Sequence, residues 1–396
     1  MSRKLFCNAK LVFPERLARG YLTETEGIID GIFEGNPPES VLLTCEEKID
    51  CKGKYLAPGF IDIHTHGAGG FDFTDDTEEA VAGACLEHLK HGTTSICPTT
   101  MTCPNEELFR FFEVYRKVKE NRKGGPNLLG IHLEGPFFSA AQAGAQPPGY
   151  LQLPLPENYL PILDAGGEDI VRVSAAVELE GAMQLGDELS KRKILAAIGH
   201  SDATVDQVAE AVQHGYTHVT HLYSGMSSLH RVGPYRVLGV VEASYLIDEL
   251  TVEIIADGKH LPPELLKFII KFKDNDKISL ITDSMRGAGL PEGQTAKLGS
   301  LKNGQDAIIR DGVAMMPDFK AFAGSICTTD RCVRTMHQLA GLPIEKAVKM
   351  MTLNPAKVLG IDDKKGSLDV GKDADLVIFD ENIHVTDVFV KGEKCF

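Results

Sequence analysis

The pattern of apolar and polar positions changes twice along the 396 residues of this chain. Residues 1–54 carry short β-like runs, broken by turn residues such as those at 35–38, and they show no long helical period. After residue 55 short apolar runs alternate with amphipathic stretches, and from about residue 356 the pattern is β-like again. The pattern therefore divides the chain into a long central region and two β-rich ends.

The central region predicts strands that are separated mostly by helices. Helices are expected at residues 76–91, 105–119, 180–192, 205–214 and 262–273. The strand candidates are residues 55–67, 94–100, 128–134, 171–177, 194–200, 218–221, 250–257 and 278–283. Alternating strands and helices are typical of a parallel sheet, and eight strands over roughly 250–300 residues favour a closed (β/α)8 barrel of the TIM type over an open sheet.

The two β-rich ends predict a second, smaller unit. The termini of a domain often lie close to one another, so strands from both ends are expected to meet. We expect an α/β protein in which residues 1–54 and 356–396 form a small β-sandwich domain, and residues 55–355 form the barrel.

Charge and cysteine content narrow the classes of partner. With 41 basic and 56 acidic residues the net charge is −15, which makes nucleic acid and anionic membranes poor partners but does not exclude a small anionic substrate. The nine cysteines form no Cys-x-x-Cys pair, which indicates reduced thiols. No secretory h-region and no run of membrane-spanning length occur, so a cytoplasmic protein is expected.

Candidate chemistry lies where the predicted strands end. His64 and His66 are two residues apart, so on a strand both side chains point to the same side. A single histidine at a strand end is more often a hydrogen-bonded structural residue than a metal ligand. Polar groups in a barrel mouth are costly without partners, so several in equivalent positions are hard to explain as packing. The strands that end in potential metal ligands carry His64 and His66, Glu134, His200, His221 and Asp283.

These residue types indicate metal-assisted hydrolysis of an amide or ester. Glu134, His200 and His221 offer one carboxylate and two imidazoles, a usual catalytic set for zinc that leaves a position for water. Such sites also accept iron, cobalt or manganese. Asp283 would take a proton from the metal-bound water and return it to the leaving group. A second site, bridged by Glu134, would be completed by His64 and His66, which gives one or two ions per subunit.

The order of motifs resembles that of the amidohydrolase superfamily, and within it the N-acetylglucosamine-6-phosphate deacetylase family. The resemblance covers nearly the whole chain, and His-Leu-Glu-Gly-Pro-Phe is its most diagnostic motif. The motifs that carry the resemblance are residues 58–67 (PGFIDIHTHG), 132–137 (HLEGPF), 199–204 (GHSDAT), 220–223 (THLY), 256–260 (ADGKH), 282–289 (TDSMRGAG) and 323–325 (AGS).

The resemblance implies a homodimer that hydrolyses the acetamide of a 2-acetamido-sugar 6-phosphate to an amine and acetate. It gives Asp283 the role of general base and then general acid. It also implies that His260 is the histidine that reaches the substrate from the neighbouring subunit. The principal metal would be bound by Glu134, His200 and His221.

The implied substrate-binding residues depart from the family pattern at three points. Gln146 stands where the family usually has a histidine that contacts the acetamide, and glutamine cannot carry charge, so carbonyl polarisation would depend more on the metal. Ser224 replaces an asparagine, and either Arg231 or Arg236 would bind the phosphate. The full implied set is Gln146, Ser224, Gly225, Arg231, Arg236, His260, Ala323 and Gly324.

These departures leave two alternatives. One is a related amidohydrolase that deacetylates another N-acyl sugar, such as N-acetylgalactosamine 6-phosphate, or another N-acyl substrate. The other is a catalytically silent sensor or scaffold, since a fold alone does not prove chemistry. A silent protein has no chemical need for Asp283, and its presence argues against the second alternative.

Overall fold

A computed structural model of the chain describes residues 3–121 and 124–396. Residues 1–2 and 122–123, which fall inside the predicted ranges of the two units, lie outside the described residues. The strands are β1 Arg3–Val12, β2 Leu17–Thr25, β3 Ile28–Glu34, β4 Glu47–Asp50, β5 Tyr55–Pro58, β6 Phe60–Thr65, β7 Gly67–Ala68, β8 Phe71–Asp72, β9 Thr93–Pro98, β10 Asn127–Leu128, β11 Ile131–Glu134, β12 Ile170–Ala175, β13 Leu195–Ile198, β14 Tyr216–Val219, β15 His230–Val232, β16 Tyr235–Val237, β17 Thr251–Ile255, β18 Ile278–Ile281, β19 Thr295–Leu298, β20 Gln305–Arg310, β21 Val313–Met315, β22 Leu376–Phe379, β23 Val385–Val390 and β24 Glu393–Lys394.

The α-helices alternate with the central strands. They are α1 Glu39–Thr44, α2 Glu78–Lys90, α3 Asn105–Asn121, α4 Pro156–Gly166, α5 Ala182–Arg192, α6 Val205–Gln213, α7 Val240–Leu246, α8 Pro263–Phe272, α9 Thr329–Gln338, α10 Ile344–Met351 and α11 Leu353–Val358. None of the helices in the described part of the chain is long and apolar enough to cross a membrane.

A curled parallel sheet forms the centre of the molecule. The strands β6 and β9 pair in parallel, and β11, β12, β13, β14, β17 and β18 follow one another in parallel. A parallel bridge between Thr99 and His132 links the two groups. The backbone N–H of Asp283, just after β18, donates to the carbonyl of His64 in β6 at 2.9 Å. The sheet therefore curls until its last strand approaches its first, and the α/β class with eight parallel strands is confirmed.

Local sequence signals account for where the helices begin and end. Thr204 caps α6 in a capping box with Gln207, which satisfies two backbone N–H groups that a helix start leaves free. Gly92 follows α2 with φ of +93°, a left-handed conformation that suits glycine after a helix end. Helix α3 buries Phe111, Phe112 and Tyr115 against the core on one face. The central helices thus pack their apolar sides onto the curled sheet.

The two ends of the chain contribute to one eight-stranded sheet. Its order is β24-β23-β22-β5-β1-β2-β3, with β4 beside β1. The ends join where β22 pairs with β5 in antiparallel register. Phe6, Leu22, Leu376 and Phe389 belong to an apolar cluster of this sheet that is separate from the large central core. Strands from both ends therefore meet, whereas the predicted sandwich and the boundaries of a separate domain stay predictions.

Several elements differ from the sequence prediction. The β-like pattern expected from about residue 356 becomes a regular strand only at Leu376, because helix α11 runs to Val358 and Gly366 and Gly371 turn the chain with positive φ. Helix α1 in the N-terminal region was not expected. Helices α4, α7, α9, α10 and α11 were not expected either, nor were the hairpin β15–β16 and the three-stranded sheet β19–β21. These segments lie between the barrel strands or after the last one.

Candidate active site

The predicted metal-binding residues all lie at the carboxyl end of the curled sheet. Glu134 is the last residue of β11, and His200, His221 and Asp283 each follow a strand by two residues. These three adopt left-handed backbone conformations, with φ of +48°, +28° and +45°. Such conformations cost on the order of 1–3 kcal/mol for residues other than glycine and cluster at functional sites. The same local turn thus recurs at three strand ends and brings three polar side chains to one place.

His200 and His221 direct their Nε2 atoms at Glu134. The Nδ1 of His200 lies 2.8 Å from the carbonyl of Gln142, and the Nδ1 of His221 lies 3.1 Å from the carbonyl of Ser224. A carbonyl only accepts, so each Nδ1 carries a proton, and in the neutral ring the lone pair is on Nε2. The two Nε2 atoms are 3.2 Å apart and lie 3.2 and 3.0 Å from Glu134 Oε1. Three acceptor atoms therefore converge on one point.

His64 and His66 approach Glu134 from the other side. His64 Nε2 lies 3.4 Å from Glu134 Oε1 and 3.5 Å from Asp283 Oδ1. His66 Nε2 lies 3.2 Å from both Glu134 Oε2 and Asp283 Oδ1. Among the described residues, His64 Nε2 is buried without a hydrogen-bond partner. The two-residue spacing thus brings both imidazoles to the same carboxylates, as the sequence predicted.

The carboxylates give this cluster a strong demand for positive charge. Burial lowers the pKa of His64, but Glu253, Glu134 and Asp283 outweigh burial and raise that pKa to about 9. For His66 burial is likewise outweighed, by Asp283 and Glu134, and its pKa rises to about 10. Burial raises the pKa of Glu134, yet the surrounding histidines hold it well below its usual range. Either protons on the histidines or a bound cation can satisfy the carboxylates.

The donor atoms fit a divalent metal. Two groups, His64–His66–Glu134 and Glu134–His200–His221, each bring three potential ligand atoms within 4.8 Å of one another. Imidazole nitrogen and carboxylate oxygen are ligands that zinc and other first-row divalent ions accept. A cation would satisfy His64 Nε2, which is buried without a hydrogen-bond partner in the described part of the chain. It would also satisfy the adjacent Nε2 atoms of His200 and His221. The residues present therefore fit one ion or two.

A cavity of about 210 Å³ opens above these side chains. Of the predicted substrate-binding residues, Gln146, Ser224, Gly225, His260 and Gly324 line it. It is also lined by Met101, Ala321 and Phe322, to which the sequence analysis assigned no role.

Gln146 contacts Glu134 directly. Its Nε2 donates to Glu134 Oε2 at 2.8 Å, and its Oε1 accepts from the backbone N–H of Thr102 at 2.9 Å. The side chain is buried, with both ends of its amide engaged. Gln146 therefore holds one oxygen of the central carboxylate, a contact that the sequence analysis did not anticipate.

His260 lines the cavity of its own chain, and its action from a neighbouring subunit stays a prediction. It follows β17, and Asp257 fixes the turn by accepting from the backbone N–H of Lys259 at 2.8 Å and of His260 at 2.9 Å. Asp257 Oδ2 also lies 2.8 Å from His260 Nδ1. The His260 ring packs 4.5 Å from the ring of Phe322. Because β17 ends at the same edge as the other strands, His260 faces the shared cavity.

The two candidate arginines lie outside this cavity. Arg231 and Arg236 are exposed on the hairpin β15–β16, where they donate to the carbonyls of Gly233 at 3.4 Å and Pro234 at 3.1 Å. Ala323 is buried next to the lining residue Gly324. A phosphate contact by either arginine stays a prediction.

A buried ion pair beneath the site was missed by the sequence analysis. Arg172 in β12 and Glu253 in β17 are both fully buried, and Arg172 Nη1 donates to Glu253 Oε2 at 2.5 Å. Glu253 also contacts His64, with 2.6 Å between Oε1 and Nδ1. Charged residues are rarely fully buried without a partner. A lone charge inside each of two otherwise apolar strands was the available signal.

Comparison with known proteins gives consistent results. Residues 55–395 match the model of the Amidohydrolase family. N-acetylglucosamine-6-phosphate deacetylase of Danio rerio is 34% identical, over 88% of this chain and 86% of the relative. N-acetylgalactosamine-6-phosphate deacetylase of Escherichia coli O157:H7 is 32% identical, over 92% and 93%. The structure of a Mycobacterium smegmatis N-acetyl-D-glucosamine-6-phosphate deacetylase mutant, in complex with N-acetyl-D-glucosamine 6-phosphate, matches with a TM-score of 0.89 and 30% identity, covering 100% of both chains.

Proposed function

The chain belongs to the amidohydrolase family, and we propose that it hydrolyses the acetamide of N-acetyl-D-glucosamine 6-phosphate to glucosamine 6-phosphate and acetate. The observation that carries this conclusion is the convergence of four histidines on Glu134, with Asp283 beside two of them, at the wall of one cavity. The similarity to deacetylases of this sugar phosphate supports the substrate.

The proposed metal centre uses the two groups of side chains around Glu134. Glu134, His200 and His221 would hold the principal ion, and His64 with His66 would hold a second one that shares Glu134. Zinc suits this set best, and iron, cobalt or manganese would also be accepted. A divalent ion in such a site supplies Lewis acidity, which polarises a carbonyl and lowers the pKa of water.

Asp283 is the proposed general base and acid. Burial raises the pKa of Asp283, but His64 and His66 outweigh burial and lower it, so the carboxylate form is favoured. As a carboxylate it can accept a proton from the attacking water. It then donates that proton to the amide nitrogen as the C–N bond breaks, which releases the amine.

The remaining cavity residues are proposed to position the sugar. Contact with Asp257 occupies Nδ1 of His260 and leaves Nε2 available to the substrate. Gln146 fixes the orientation of the Glu134 carboxylate through its Nε2. Ser224, Gly225, Ala323 and Gly324 are proposed to lie along the sugar, and Arg231 or Arg236 to bind the phosphate.

The alternative substrate is the galactosamine epimer. It is represented by the Escherichia coli relative, whereas the Danio rerio relative and the superposed Mycobacterium smegmatis structure are named for the glucosamine sugar. The glucosamine epimer is therefore the favoured substrate.

The proposed organisation is a cytoplasmic homodimer. Several large apolar side chains are exposed near the hairpin β15–β16 and along α8, and contiguous exposed apolar surface marks interaction sites. They include Val232, Tyr235, Phe268 and Phe272. We also propose that residues 1–54 and 356–396 form a small β-sandwich domain beside a (β/α)8 barrel at 55–355. The eight-stranded sheet supports this unit, because it holds β1–β3 and β22–β24 together, with β5 from the barrel range as the strand between them.

The substitution Asp283→Asn tests the proposed reaction. Asparagine keeps the size of the side chain but cannot accept the proton, so turnover should fall by about 10²–10⁴-fold. Metal content, measured by plasma mass spectrometry on the same sample, should retain the principal ion. Near-normal turnover would refute the role of Asp283, and loss of all metal would show that the residue acts as an essential ligand instead.

A further inference from the structure

Glu253 accepts hydrogen bonds from four groups beneath the candidate metal centre. Its Oε1 lies 2.6 Å from His64 Nδ1 and 3.1 Å from the backbone N–H of His221. Its Oε2 lies 2.5 Å from Arg172 Nη1 and 3.3 Å from His218 Nε2. Glu253 is fully buried, so these contacts replace water entirely. No role in the reaction proposed above depends on it.

The contact with Glu253 decides which nitrogen of His64 carries a lone pair. Arg172 Nη1 donates to one oxygen of Glu253 and the backbone N–H of His221 donates to the other, so both oxygens act as acceptors, as those of a carboxylate do. His64 Nδ1 must therefore carry a proton. When a cation takes the place of the second proton, the neutral imidazole presents the lone pair of Nε2, which lies 3.4 Å from Glu134 Oε1. That is the tautomer a metal ligand needs.

Arg172 in turn fixes Glu253. Its Nη2 donates to Thr220 Oγ1 at 2.9 Å and its Nη1 also reaches the carbonyl of Ile63 at 3.3 Å. These contacts tie the guanidinium, which β12 carries, to β6 and to the residue that follows β14. Because the guanidinium of Arg172 is held in place and binds Oε2 of Glu253, the other oxygen, Oε1, faces His64.

From these contacts we infer that Glu253 is a positioning residue for the second metal, acting through His64 Nδ1 and held in place by Arg172. The inference rests on the proposed metal-dependent hydrolysis. It names a residue outside the two ligand groups as the determinant of whether a second ion binds. Partners of this kind, which touch a ligand rather than the metal, commonly change metal affinity by about 10–100-fold.

The substitution Glu253→Gln should reverse the arrangement. Arg172 and the backbone N–H of His221 both only donate, and the charged arginine is the stronger donor, so the glutamine oxygen turns towards Arg172. The glutamine NH2 group then faces His64 Nδ1, and the backbone N–H of His221 loses its acceptor. His64 must then accept at Nδ1 and carry its proton on Nε2, which removes the lone pair from the metal side. We expect one of two zinc ions per subunit to be lost or its affinity to fall about 10–100-fold, as measured by competition with a chromophoric chelator.

The double variant Arg172→Met with Glu253→Gln separates positioning from general damage. With the arginine gone, the glutamine oxygen is free to face His64 again, so binding of the second zinc should recover. Asp375→Asn is the matched control, because Asp375 is also a buried carboxylate, 2.5 Å from Lys365 Nζ, but it lies beside the terminal sheet. It should bind zinc as the wild type does.

A third variant keeps the test decisive if Glu253→Gln fails to fold. Arg172→Met with Glu253→Leu also removes both charges but offers no acceptor to His64, so it should lose the second zinc while Arg172→Met with Glu253→Gln keeps it. Equal zinc binding by these two double variants would overturn the inference. So would wild-type zinc affinity in a folded Glu253→Gln variant, or a wild-type protein that binds one zinc per subunit.

Zinc binding and turnover of the sugar phosphate are measured separately, so the two proposals can fail independently. Loss of the second zinc in Glu253→Gln, in a protein that does not deacetylate N-acetylglucosamine 6-phosphate, would refute the proposed substrate and leave the role of Glu253 intact. Normal deacetylation with unchanged zinc binding in the variant would refute the role of Glu253 and leave the proposed substrate intact.

Discussion

The two halves of the candidate site differ in what orients their imidazoles. The Nδ1 atoms of His200 and His221 donate to backbone carbonyls, that of Gln142 at the end of a short 3₁₀ helix and that of Ser224 in a loop. His64 rests on the carboxylate of Glu253, which is buried within the curled sheet and paired with Arg172. A backbone carbonyl is present whatever the side chain, whereas a carboxylate depends on one residue. The first half should therefore tolerate substitutions of its supporting residues that the second half does not.

The largest effect should come from the residue that both halves share. Replacing Glu134 with Gln removes the charge at the centre of both ligand groups, so both ions should be lost. Loss of several kcal/mol of transition-state stabilisation corresponds to a fall in turnover of about 10³-fold or more. Kinetics and metal content measured on the same preparation test this expectation, and retention of both ions would contradict the proposed sharing.

The two halves should differ when each loses one histidine. His200→Ala removes a ligand of the principal ion and should reduce turnover by about 10³-fold, because Lewis acidity there is worth several kcal/mol. His64→Ala should remove only the second ion and leave measurable turnover. Steady-state kinetics with matched zinc analysis would test the ranking. A greater loss of turnover from His64→Ala would assign the principal role to the other half.

Substitutions on the hairpin β15–β16 should affect substrate binding without affecting either half of the metal site. If Arg231 or Arg236 binds the phosphate, its change to Ala should raise KM by roughly 10–100-fold, since a hydrogen bond to a charged group contributes about 1.5–3 kcal/mol. The turnover number should change little. The other arginine serves as the matched control on the same hairpin. Unchanged KM in both variants would mean that the phosphate is bound elsewhere.

The smallest effect on zinc affinity is expected for residues whose backbone carbonyl orients a histidine. Ser224→Ala keeps the backbone carbonyl that accepts from His221, and Gln142→Ala keeps the one that accepts from His200. Zinc affinity should therefore change by less than about 2-fold, because the orienting acceptor remains. Chelator competition measures this directly. A loss comparable to that expected for Glu253→Gln would remove the distinction between the halves.

The sequence was informative about residues whose position follows from the end of a single strand. Apolar runs marked the eight central strands, and the polar residues at their ends lie close together in the structure, because the carboxyl ends of parallel strands share one edge. Glu253 and Arg172 were missed because they lie 81 residues apart and meet only when β12 and β17 enclose the same interior. The pairing of Gln146 with Glu134 was equally invisible, since it depends on how a loop folds back.

Amine release from N-acetylglucosamine 6-phosphate tests the central claim most directly. The protein is stripped of metal with a chelator, reloaded with zinc, and assayed beside unphosphorylated N-acetylglucosamine. We predict turnover that returns with zinc and a strong preference for the phosphate ester. Activity that is independent of metal, or absent on both sugars after zinc is restored, would contradict the account.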